Sequence, residues 1–137
     1  MGEEVSVRKG RHCISALHAH LVFVTKYRAN VFNGAILERL EAILRAVCDD
    51  FEVELTEFNG EEEHVHLLIE YPPKVQLSKL INSLKGVSSR LLRKECPAIH
   101  QYLWKGALWS SSYFAGSCGG ASLDTLANYV ERQNRPN

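Results

Sequence analysis

Apolar residues recur along this chain with two different periods. Between Leu17 and Tyr27 the run Leu21, Val22, Phe23, Val24, Thr25 is apolar and β-branched, which predicts a strand. After Asn33-Gly34 the spacing changes. Ile36, Leu37, Leu40, Ile43, Leu44 and Val47 repeat at helical intervals with Glu38, Arg39, Glu41 and Arg45 on the other side, so a helix with one apolar stripe is expected. Alternation returns at Phe51, Val53 and Leu55, predicting a half-buried second strand, with Asn59-Gly60 as the turn into a third strand from about His64 to Tyr71. There Val65, Leu67, Ile69 and Tyr71 share one face, and His64, His66, Leu68 and Glu70 the other. Pro72-Pro73 ends that strand. A second helix runs from about Leu77 to Glu95, its stripe made by Leu77, Leu80, Ile81, Leu84, Leu91 and Leu92, until Cys96-Pro97 stops it. The aromatic stretch Trp104 to Phe114 holds a fourth strand around Leu108 to Ala115. Beyond a Gly119-Gly120 hinge, Ser122 is a helix N-cap with Asp124 in the first turn, opening a last helix of about Leu123 to Gln133.

The order β-α-β-β-α-β plus a C-terminal helix predicts an α+β, ferredoxin-like (split βαβ) fold: an antiparallel sheet, two helices on one face, and the other face free for a ligand. Residues 1–12 read as a polar lead-in and residues 13–137 as a single domain, its last helix at about 122–133. The chain has 137 residues, enough for a real core. Its 16 basic and 16 acidic side chains cancel, so a phosphate-binding surface must come from uneven placement of charge rather than from bulk charge. Cys13, Cys48, Cys96 and Cys118 are scattered without a C-x-x-C pair, which argues against a zinc knuckle and for free thiols in a reducing compartment. No apolar leader and no stretch of membrane-spanning length occurs, so a soluble, cytoplasmic protein is expected.

Two motifs carry chemistry. His64-Val65-His66 places two imidazoles on the same face of a strand, where they can converge on a divalent cation. The third ligand could be Glu61, Glu62, Glu63, His18, His20 or Gln133; nitrogen and oxygen donors without a thiolate suit Mg²⁺ or Mn²⁺ and do not exclude Zn²⁺. In Tyr129-Val-Glu-Arg-Gln133 the phenol and the amide lie at i and i+4, on one helix face and outside the apolar stripe of Leu123, Leu126, Ala127 and Val130. A phenol at neutral pH becomes a nucleophile only with a metal or base beside it. Taken one at a time, a solvent-face H-x-H and a surface tyrosine are the commoner readings. Lys85, Arg90, Arg93 and Lys94 form a basic set that could bind phosphates or simply be a solvated helix face. Tyr102, Trp104, Trp109, Tyr113 and Phe114 could stack on unpaired bases or fill the core. Glycine-rich phosphate loops are absent.

Together these residues resemble the single-tyrosine HUH transposases of the insertion-sequence-200/605 type. The landmarks are His20-Leu-Val-Phe-Val-Thr-Lys-Tyr-Arg28, His64-Val-His-Leu-Leu68, Leu84-Lys-Gly-Val-Ser-Ser-Arg90, Trp109-Ser-Ser-Ser-Tyr-Phe114 and Tyr129-Val-Glu-Arg-Gln133, in order and spanning nearly the whole chain. The resemblance implies His64, His66 and Gln133 as ligands of Mg²⁺ or Mn²⁺, and Tyr129 as the catalytic nucleophile. It implies cleavage and rejoining of single-stranded DNA at element ends marked by hairpins, through a 5′-phosphotyrosine. It also implies a homodimer whose active sites are completed in trans by the last helix, with the basic helix of Lys85 and Arg90 toward the hairpin.

Two departures from the family pattern stand out. Where relatives carry Pro-Asp before the first histidine, this chain has Glu62-Glu63, carboxylates placed to alter metal affinity or repel phosphate. Ser111 replaces an arginine and removes one phosphate contact. The competing reading is a domesticated or catalytically silent relative that binds hairpin nucleic acid as a regulator; retention of His64, His66, Tyr129 and Gln133 together argues against it.

Overall fold

The computed structural model describes residues 17–103 and 106–117. The expected last helix, with Tyr129 and Gln133, lies outside the described residues. The six central elements follow the expected order: β1 (Leu17–Thr25), α1 (Gly34–Asp50), β2 (Glu54–Gly60), β3 (His64–Tyr71), α2 (Leu77–Glu95) and β4 (Trp109–Ser117). The strands form one antiparallel sheet in the order β2-β3-β1-β4. Each βαβ unit is therefore split by a strand of the other, as the sequence pattern predicts.

The central position of β1 explains its composition. A strand with neighbours on both edges and cover on both faces reads as a continuous apolar run, and Leu21 through Thr25 are all buried. One face packs Leu21 and Phe23, with Val65, Leu67 and Ile69 of β3, against Leu40 and Leu44 of α1 and Leu80, Ile81, Leu84 and Leu92 of α2. Val22 and Val24 are equally buried but stand outside that cluster, on the opposite face. The face expected to be open is thus partly covered. Asn33 caps α1, its Oδ1 accepting from Ile36 N–H at 2.9 Å. Arg39 of α1 grips Glu95 of α2 through two hydrogen bonds, 2.5 and 2.9 Å. Among the described residues no helix is long and apolar enough to cross a membrane.

The stretch from α1 to β3 differs from expectation. The alternating Phe51, Val53 and Leu55 straddle a helix terminus and the start of β2. Val53 N–H donates to Cys48 C=O at 2.8 Å and Glu52 N–H to Asp49 C=O at 3.0 Å. These are the paired bonds of a Schellman stop, with Glu52 at φ 61, the left-handed position where glycine is usual. Asn59-Gly60 is not the turn: Asn59 pairs with His66 and Gly60 with Val65, so the turn is made by the three glutamates that follow. Glu52 is exposed and pairs with Lys74 at 2.8 Å, and exposed pairs contribute little. Glu52→Gly should therefore raise stability by about 0.5–1 kcal/mol. Urea unfolding would check it, and an unchanged or lower midpoint would refute it.

Candidate functional site

His64 and His66 emerge from β3 on the face away from the helices, opposite Val24 and Val22 of β1. Their ring centroids are 4.8 Å apart and the planes are nearly perpendicular, at 87°. Adjacent strands supply the floor: His66 also pairs with Asn59 of β2, and a small cleft lined by His20, Glu57, Asn59, His66 and Leu68 opens beside it. His66 is only 7% exposed, far less than a solvent-face strand residue would be.

The His64 ring is held by its neighbour in sequence. Its Nδ1 lies 3.0 Å from Glu63 Oε1. An ionised carboxylate only accepts, so a neutral ring that bonds to it does so through Nδ1–H, which leaves on Nε2 the lone pair a metal ligand requires. Burial pushes the Glu63 carboxyl upward, but hydrogen bonds from backbone N–H, His64 and Arg28 outweigh it and hold the group below its ordinary range. Glu63 is also clamped from behind. Its carbonyl accepts from Thr25 N–H at 2.9 Å and Thr25 Oγ1 at 3.2 Å, while the Glu62 carbonyl accepts from Phe32 N–H at 3.0 Å. The departure Glu62-Glu63 thus places a carboxylate in contact with the first histidine.

The donor set fits a divalent cation as far as it is described: two imidazole nitrogens on one face, with Cys48 in the core well away from them. Among the described residues no three His, Cys, Asp or Glu side chains group to hold a metal. Glu61, Glu62, Glu63, His18 and His20 form no such group with the two imidazoles. Glu63 is engaged by His64 and Arg28, and His18 approaches Glu70 at 3.8 Å. The amide of Gln133, like Tyr129, lies outside the described residues.

The four basic residues of α2 do not converge on the histidines. Lys85 turns inward: Nζ donates to Ser110 C=O at 2.6 Å and lies 5.3 Å from the Tyr113 ring centre and 6.0 Å from that of Phe23. Desolvation there lowers its pKa. Arg93 Nε donates to Ser89 C=O at 3.1 Å. Arg90 lines a groove between α1 and α2 with Arg39 and Asp50, across the sheet from the imidazoles, and Lys94 is exposed. Among the aromatics, Trp109 is a core residue, while Tyr102 and Tyr113 are exposed. Arg28 is the residue sequence reasoning missed; its partner Glu63 is 35 positions away, and no local pattern links them.

Residues 13–133 match the family described as "Transposase IS200 like". The chain belongs to the IS200-like transposases. It is 29% identical over 130 residues to the ISDra2 transposase TnpA of Deinococcus radiodurans, covering 95% of this chain and 93% of that one. It is 29% identical over 134 residues to the transposase for insertion sequence element IS200 of Salmonella typhimurium, covering 97% and 85%. The crystal structure of a candidate transposase from Deinococcus radiodurans superimposes with a TM-score of 0.83 at 29% identity, over 94% of this chain and 99% of that one. A REP-associated tyrosine transposase bound to a REP hairpin shares the fold more distantly, with a TM-score of 0.58 at 13% identity over 95% and 68%.

Proposed function

We propose that this transposase cleaves and rejoins single-stranded DNA at insertion-sequence ends marked by hairpins, using Tyr129 as the nucleophile and Mg²⁺ or Mn²⁺ held by His64, His66 and Gln133. The observation that carries the reading is the perpendicular imidazole pair on the helix-free face, with His64 Nδ1 3.0 Å from Glu63 Oε1. When bound, the cation would polarise the scissile phosphate and offset the charge that develops on it. The Tyr129 oxygen forms a bond to phosphorus and the P–O3′ bond breaks. The proton the phenol gives up balances the one the departing 3′ oxygen takes up, so that strand ends in a hydroxyl and the 5′ strand end remains on the tyrosine. Because one phosphodiester replaces another, rejoining by a free 3′-OH needs no ATP.

The same reading includes a homodimer with active sites completed in trans. Support comes from β4, an edge strand of nine residues without a charge or a proline (Trp109 to Ser117). The other edge, β2, carries Glu54 and Glu57, charges that discourage pairing. A second copy pairing along β4 would extend the sheet.

Covalent trapping tests the chemistry. Labelled single-stranded element ends are incubated with Mn²⁺ or with EDTA and resolved on denaturing gels. The expected result is a metal-dependent adduct that maps to Tyr129 and disappears in Tyr129→Phe. A hairpin-specific shift on native gels with no adduct would replace this reading with that of a hairpin-binding regulator.

A further inference from the structure

The β1–α1 corner holds two successive non-glycine residues in the left-handed region, Tyr27 at φ 55 and Arg28 at φ 57. Such residues are disfavoured and persist where surrounding contacts over-determine them. Here the contacts are explicit. Lys26 N–H donates to Leu108 C=O at 2.9 Å, Thr25 Oγ1 to Ala29 C=O at 2.7 Å, and Ala29 N–H to Lys26 C=O at 3.2 Å. The consequence of this conformation is the placement of the Arg28 guanidinium, which donates through Nη2 to Glu63 Oε2. Glu63 uses its other oxygen, Oε1, on His64 Nδ1. One carboxylate therefore bridges a strained loop residue and a histidine of the site.

We propose that Arg28 and Glu63 are positioning residues of the metal centre: Arg28 fixes the Glu63 carboxylate, and Glu63 fixes the ring orientation and tautomer of His64. This rests on His64 being a metal ligand. A carboxylate held at one oxygen cannot rotate away from the imidazole, so the His64 Nε2 lone pair is aimed before any ion arrives. Groups that orient a ligating histidine commonly change metal affinity by roughly 10- to 100-fold. The left-handed backbone at Arg28 also separates this role from a merely structural one. Glycine is at ease at that φ, so Arg28→Gly removes the guanidinium while relieving the backbone.

The experiment uses the full chain in wild-type, Arg28→Gly, Arg28→Lys and Glu63→Ala forms. Long-range ¹H–¹⁵N spectra of the metal-free protein at about pH 8, where an ordinary imidazole is neutral, read the His64 tautomer. Calorimetry with Mn²⁺ alone reads affinity, and thermal melts read the fold. The wild type should hold His64 in the Nδ1–H form. Glu63→Ala and Arg28→Gly should show mixed tautomers and Mn²⁺ binding weakened roughly 10- to 100-fold, with no fall in the melting temperature of Arg28→Gly. Arg28→Lys should recover part of the affinity. A single Nδ1–H tautomer and wild-type Mn²⁺ affinity in Arg28→Gly would overturn the proposal. If the wild type takes up no Mn²⁺, the metal-site reading fails, and the tautomer in the metal-free variants still decides whether Arg28 and Glu63 orient His64.

Discussion

His66→Ala should lower metal-dependent strand cleavage by about 10³-fold or more, while hairpin binding and folding persist. A bound divalent cation supplies several kcal/mol of stabilisation to a phosphoryl transition state, and each 1.36 kcal/mol is a factor of about ten in rate. Alanine at this position removes one of the two described nitrogen donors. Gln133 and His64 would then have to hold the ion without it. The fold should tolerate the change because His66 lies outside the main apolar cluster, which packs on the other face of the sheet. Its backbone pairing with Val22 and Asn59 does not depend on the side chain. Cleavage of labelled single strands with Mn²⁺, beside a native gel shift and a thermal melt, checks all three parts. Undiminished cleavage in a folded His66→Ala protein would mean that the imidazole pair is not the metal centre.

The legibility of the molecule in its sequence varied with the kind of signal each part carries. α2 occupies Leu77–Glu95 as its stripe and its Cys96-Pro97 stop predict, because a nineteen-residue periodic pattern bounded by prolines leaves little freedom. β1 and β3 were legible from apolar runs and alternation. The β2 boundary was not. Alternation at Phe51, Val53 and Leu55 is shared by a helix terminus and a strand start, and Glu52 occupies a left-handed position with no glycine to announce it. An Asn-Gly pair normally marks a turn; here pairing with β3 carries it into the strand. At the site, the shared face of His64 and His66 follows from strand geometry alone. The Arg28–Glu63–His64 chain does not, because it needs a loop and a turn that only the folded sheet brings together. Likewise the inward course of Lys85 depends on Ser110 offering a carbonyl beside α2, and spacing on the helix alone left Lys85 open between a phosphate contact and a solvated face.

Trp109→Ala should cost about 3–5 kcal/mol. Sequence left Trp109 between base stacking and core packing; its surroundings decide for the core. The indole meets Phe23 edge-on at 5.7 Å and Phe32 at 5.5 Å, joining β4 to β1 and to the loop before α1. Its Nε1–H donates to the Ser88 hydroxyl at 2.9 Å, and that hydroxyl donates onward to Lys85 C=O at 3.2 Å, tying β4 to α2. Truncation opens a cavity among buried groups and leaves the wholly buried Ser88 oxygen without its donor. For a chain of this size the melting temperature should fall by about 10–20 °C. Trp109→Phe keeps most of the ring and loses the hydrogen bond, so it should cost less, about 1–3 kcal/mol. The fraction that remains folded should bind a DNA hairpin with wild-type affinity, since the indole faces inward. Hairpin binding lost in Trp109→Phe with the melting temperature unchanged would place Trp109 on the nucleic-acid surface and reverse this assignment.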